Sequence, residues 1–226
     1  MSTTLPSVLR PSQIRPRYFV FAFVFVMMAY VIFHNENFLW NSQHPVWQHY
    51  ALFKWNLLVH GLGGACALFL GPLQFSDTLR ARFTKLHRVV GRFYVFGALV
   101  AAPFGMYIQH LDEQVGGTRS FTIATVVDGG LWMSTTLIAL AFAMNGKITQ
   151  HRQWMTRSYA IAIVFLEVRV ISGLFGFDGN LAATETIVWS CVAVSLFLAD
   201  VVIQYQELRR SKPATNKVSK ARTAVA

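Results

Sequence analysis

Six apolar stretches organise the 226-residue chain. Each approaches or reaches the about 20 residues a helix needs to cross a hydrocarbon core about 30 Å thick. They run from Tyr18 to Phe33, Leu57 to Phe75, Val89 to Ile108, Phe121 to Met144, Ser158 to Phe175 and Ile187 to Tyr205. Only 13% of the residues are charged and 54% are hydrophobic, whereas an ordinary soluble domain carries about 25% charge. In lipid a backbone must satisfy its own N–H and C=O groups, which such runs do as helices. The sequence therefore predicts an all-α integral membrane protein of six transmembrane helices, with spans two to five as the core bundle and one flanking helix at each end. The first run is short, but Arg17 can snorkel and Asn35 can sit among headgroups. No small-residue cleavage site follows it, so it reads as an uncleaved anchor.

The net charge of +10 would suggest nucleic acid in a soluble protein; here its distribution points to lipid. Arg10, Arg15 and Arg17 precede the first span, and Arg80, Arg82, Lys85, Arg88 and Arg92 lie between the second and third. Lys147, Arg152 and Arg157 separate the fourth and fifth, and Arg209, Arg210, Lys212, Lys217, Lys220 and Arg222 follow the sixth. These are 17 of the 20 basic residues; the other side holds only Lys54 and Arg119, and Arg169 stands inside a span. The positive-inside bias then puts both termini in the cytoplasm and the protein in the inner cell membrane. Residues 1–17 read as a basic N-terminus, 18–206 as the transmembrane domain and 207–226 as a basic disordered tail held near anionic lipid. Trp40, Trp47, Tyr50 and Trp55 mark the first external loop, from His34 to Trp55, as a segment lying along the outer surface. Cys66 and Cys191 lie in apolar runs, which fits neither a disulfide framework nor a paired-cysteine metal site.

Two basic loops end in similar words. His87-Arg88-Val89-Val90-Gly91-Arg92-Phe93-Tyr94 precedes the third span, and His151-Arg152-Gln153-Trp154-Met155-Thr156-Arg157-Ser158-Tyr159 precedes the fifth. With one gap both read His-Arg, then Arg-x-Tyr. Spans two and three and spans four and five are then parallel repeats about an axis along the membrane normal, which brings His87 and His151 near one another at the inner face. Tyr94, Trp154 and Tyr159 suit the inner aromatic belt, and Met155 reads as a space filler.

At these residues the chain resembles the bacterial membrane proteins catalogued as domain of unknown function 2306. The resemblance runs from about Trp55 to Ile171, through His60, Gly71-Pro72-Leu73-Gln74-Phe75, the His87 and His151 words, and Arg169. It implies a multi-span membrane protein and assigns no reaction. Asp128-Gly129-Gly130 and Glu167 are not carried over as traits of that family.

Facing histidines on membrane helices suit a b-type haem, which takes one imidazole on each side of the ring. His87 with His151 is the expected pair, with Arg88, Arg92, Arg152 and Arg157 near the propionates. His60 with His110 would make a second, outward site. Such a protein would look like cytochrome b561 in architecture and would serve electron transfer or oxidase maturation through a membrane redox or assembly partner. The competing account makes His87 and His151 solvated helix-start residues and the arginines a lipid-phosphate rim. Asp128, Glu167 and Arg169 form a second candidate centre. Ionised groups near mid-bilayer cost at least about 2.5 to 3.5 kcal/mol unless partnered. Glu167 and Arg169, two apart on a helix, point to nearly opposite sides, so Asp128 is the expected partner of Arg169. The cluster would serve a cofactor-free transporter or assembly factor, or only fix helix register. Asp200, near the inner end of span six, can snorkel. No nucleotide-binding glycine loop, zinc-protease helix or serine elbow is present, so soluble-enzyme chemistry has no support.

Overall fold

The computed structural model describes residues 16–211, and within them the chain is a succession of helices. Helix α1 covers Pro16–His34, and α2 is a short turn at Val46–His49. Helix α3 covers Lys54–Gln74, α4 Asp77–Arg82, α5 Thr84–Gln114 and α6 Arg119–Met144. Helices α7 (Ile148–Ala162), α8 (Val164–Leu174) and α9 (Leu181–Ser211) follow. Arg10, Arg15 and the tail beyond Ser211 lie outside the described residues. Glu207 to Ser211, expected to open a disordered tail, instead continue α9.

Among the described residues, α3, α5, α6 and α9 are long and apolar enough to cross a membrane, and Phe19–His34 is a shorter apolar helix. The fifth expected span is divided. It begins at Ile148, well before Ser158, and is interrupted at Ile163 between α7 and α8. Neither proline nor glycine stands at the interruption. Backbone bonds from Ile163 N–H to Tyr159 O (3.2 Å) and from Glu167 N–H to Ile163 O (3.0 Å) carry the helical ladder across it.

Local chemistry sets the ends. The Ser76 hydroxyl accepts from Leu79 N–H (3.2 Å) to start α4, and Thr118 accepts from Phe121 N–H (3.3 Å) to start α6. Helix α6 stops where Gly146 takes a positive φ of 69°. Gly146 N–H bonds Ala143 O and Lys147 N–H bonds Phe142 O, which satisfies carbonyls of the last turn and turns the chain back into α7.

The core is a bundle of α3, α5, α6 and the α7–α8 pair, flanked by α1 against α8 and by α9 against α6, α7 and α8. Helices α3 and α5 meet backbone to backbone. A Cβ placed on Gly97 would stand 2.6 Å from Gly63 O, and Ala67, Ala98 and Ala101 are fully buried around that contact. Small residues are how membrane helices approach closely without a hydrophobic drive between them. The loop after α1 folds on itself. Phe38 is buried, edge-on to Trp47 and Tyr50, and Trp47 Nε1 donates to Phe38 O (3.2 Å). Of the four expected belt aromatics, Trp40 and Trp55 stay exposed, while Trp47 and Tyr50 enclose Phe38.

Candidate functional site

Three polar groups lie in or beside the bundle. The first is at the basic end, where α5 and α7 carry the two His-Arg words. His87 and His151 are close enough for their charges to interact, as the repeat led us to expect. His151 Nδ1 bonds Ala139 O of α6 at 2.8 Å, so its Nε2 is the nitrogen left to face a ligand. His87 Nδ1 is buried without a hydrogen-bond partner, and the His87 carbonyl receives a long bond from Gln74 Nε2 (3.4 Å). Arg88 and Arg92 are exposed, and Arg152 is half-buried. Arg157 is committed elsewhere: it donates to Asp200 of α9 (2.7 Å) and stacks over Trp154 (5.0 Å).

The imidazoles fit a haem iron by donor type, but the space inward of them is occupied. Tyr94 and Ser158, both fully buried, share a hydrogen bond of 2.8 Å between α5 and α7. Ser158 also bonds Thr136 of α6 at 2.7 Å, and Trp132 Nε1 donates to the Tyr94 hydroxyl at 3.5 Å. Tyr159 lies flat against Gly71, where an added Cβ would collide with its ring, and donates to Leu68 O (3.3 Å). Tyr94 and Tyr159 are therefore core residues and not belt aromatics, because each crosses to the first helix of the other hairpin. Met155 is buried as a packing residue.

The expected second pair, His60 and His110, is not assembled. His60 bonds Ala101 O (2.8 Å) and packs on Gly105, both in α5. His110 is exposed and contacts Gln114 Nε2 at 3.4 Å. The external-loop histidines meet other partners: His34 and Asp178 lie 3.3 Å apart, and His49 and Asp112 2.9 Å.

The second group is at the end opposite the histidine words. Arg169 stacks over Phe165 (5.2 Å) and acts electrostatically on His60 and on Glu36 of the loop after α1. Burial holds the Glu36 carboxyl above its ordinary range, and the Arg169 charge pulls it the other way. Among the described residues no carboxylate comes within 4.0 Å of Arg169, so the expected Asp128–Arg169 ion pair is not formed. The reason lies on α8: Glu167 takes the side of the helix near Asp128, and Arg169 faces the other way.

The third group is what Glu167 and Asp128 make together. The two carboxyls, from α8 and α6, are close enough for their charges to repel. Glu167 Oε2 accepts from the Ser195 hydroxyl of α9 at 2.7 Å. Asp128 Oδ1 is buried without a partner. Cys191, one turn before Ser195, is buried where both carboxylate charges reach it. Among the described residues neither carboxyl has a basic group within 4.0 Å, and no group of three or more metal-ligating side chains is assembled. Sequence reasoning missed Ser195, Cys191 and Glu36. The only signal was a polar hydroxyl in the apolar Cys191–Ala199 run and a single acid in an aromatic loop.

A family model described as Predicted membrane protein (DUF2306) matches residues 57–203, more than half of the chain. No curated protein and no solved structure matches it.

Proposed function

The chain belongs to the predicted membrane protein family DUF2306, and on that premise we propose that it is a proton-coupled, cofactor-free membrane transporter whose proton-carrying group is the Asp128–Glu167 pair. The observation that carries this reading is the unpartnered, buried Asp128 Oδ1 within electrostatic reach of Glu167, with no basic group within 4.0 Å of either carboxyl among the described residues. Two carboxylates within electrostatic reach of each other in a low-dielectric setting do not both keep their charge, so one of the two holds a proton that it can exchange. The proposed frame is six spans in the inner cell membrane with both termini cytoplasmic, the α7–α8 pair acting as the fifth. The exposed Arg88 and Arg92 support contact with anionic lipid headgroups.

The test uses the full chain in liposomes that hold a pH-sensitive dye, with an imposed potential driving protons. Asp128→Asn and Glu167→Gln each abolish the flux, while His87→Ala retains it. Equal flux from the wild type and both carboxyl variants overturns the reading.

One observation favours a second reading, a b-type haem between His87 and His151 that serves electron transfer or oxidase maturation: the buried His87 Nδ1 has no partner, and His151 lies within electrostatic reach of it. Bound haem would supply one-electron chemistry. A reduced-minus-oxidised optical spectrum of protein made with ample haem decides it. Sharp b-type bands lost in His87→Ala support it, and a featureless spectrum from folded protein removes it.

A further inference from the structure

Helix α9 carries Thr186, Ser190 and Ser195 on successive stretches of its apolar run, and their hydroxyls behave differently. Thr186 donates to Ala182 O (3.0 Å) and Ser190 to Thr186 O (2.8 Å), the ordinary back-bonding of a hydroxyl inside a helix. Ser195, only 3% exposed, gives up that local acceptor and reaches across to Glu167 Oε2 at 2.7 Å. A donor aimed at one oxygen of one carboxyl makes the pair unequal, because it stabilises negative charge on Glu167 and offers nothing to Asp128.

We propose that Ser195 is the positioning residue of the carboxyl pair: its hydroxyl keeps Glu167 as the anionic member and leaves the exchangeable proton on Asp128. This rests on the reading of Asp128 and Glu167 as a proton-carrying pair. The titratable groups facing Glu167 are Asp128 from α6 and Cys191 from α9. On α8 itself Arg169 is turned away, and from α1 Tyr30 and His34 meet the helix further on, at Gly173. Nothing on these elements replaces Ser195 as the donor to Glu167 Oε2 among the described residues. The hydroxyl sits on a different helix from either carboxyl. Any shift of α9 against α8 therefore breaks the bond and makes the two acids more nearly equal, which couples the position of the proton to helix packing.

Infrared spectroscopy of the reconstituted full chain tests the assignment, because the C=O stretch of a protonated carboxylic acid stands apart from that of a carboxylate. In the wild type the protonated-acid band is lost in Asp128→Asn and kept in Glu167→Gln. With Ser195→Ala the band is divided between the two acids, so that adding either carboxyl substitution removes only part of it. Ser195→Thr, which keeps a hydroxyl, restores the wild-type pattern and shows that the effect is not one of folding. A band lost in Glu167→Gln and kept in Asp128→Asn overturns the assignment, as does a Ser195→Ala spectrum identical to wild type. A wild-type spectrum with no such band at neutral pH, where exposed carboxyls are ionised, overturns the parent reading as well, which separates the two failures.

Discussion

The Tyr94 hydroxyl and the Ser158 hydroxyl lie 2.8 Å apart inside the bundle, with no access to solvent at either residue. They belong to the two His-Arg words, Tyr94 as the last residue of the first and Ser158 as the next-to-last of the second, so the two segments meet near their ends. The crossing is reciprocal. Tyr94 of the first word meets Trp132 of α6, and Tyr159 of the second meets Leu68 of α3. Tyr94→Phe keeps the ring and removes the hydroxyl, leaving Ser158 bonded to Thr136. Thermal unfolding in detergent should show a loss of about 1 kcal/mol, the usual size of one interhelical hydrogen bond. Unchanged stability would mean that the network contributes nothing.

Gly97 and Gly63 support a sharper contrast. A Cβ on Gly97 would stand 2.6 Å from the backbone oxygen of Gly63, which cannot rotate away, whereas one on Gly64 meets nothing within 4 Å. Gly97→Ala should lower stability by about 1–3 kcal/mol by forcing α3 and α5 apart. Gly64→Ala should leave it unchanged or raise it slightly, since alanine is the better helix former. The same unfolding assay checks both, and equal behaviour of the two variants would contradict the packing described.

Glu36 gives a pH prediction. Burial raises its carboxyl above the ordinary range, and this outweighs the opposing pull of Arg169. Below the unfolded glutamate value of about 4.3 the group is protonated in both states and has no effect on stability. As pH rises from there through the raised folded value, a penalty on folding develops and then stays in full. Glu36→Gln removes it, so the variant should melt higher than wild type near neutral pH, and the difference should vanish in acid below the unfolded value. A variant less stable than wild type at neutral pH would show that the attraction to Arg169 dominates instead.

The helical membrane class was legible because apolar run length is a one-dimensional property, and the repeated word set His87 and His151 at the same end of the bundle, where the structure leaves each within electrostatic reach of the other. What stayed hidden depends on the direction a side chain takes. Tyr94 and Tyr159 stand near the starts of the apolar runs, where belt aromatics are found, and only the approach of α6 and of Gly71 shows that they point inward. The spacing of two sets Glu167 and Arg169 on nearly opposite sides of the helix, and in the structure Glu167 meets Ser195 while Arg169 stacks on Phe165. The partner of each was not legible, since it depends on which helix lies on which side. Ser195 carries no signal in a sequence, because a serine that bonds its own helix and one that bonds a neighbour are written alike.

The central claim is that a proton resides within the Asp128–Glu167 pair, and an apolar carbodiimide tests it most directly. The reagent adds to protonated carboxyls in apolar surroundings and leaves carboxylates unmodified, and mass spectrometry locates the adduct. The account predicts one adduct per chain within the pair, on Asp128, formed more slowly as pH rises and absent in Asp128→Asn. Folded protein that carries no adduct at either Asp128 or Glu167, at any pH, would contradict it.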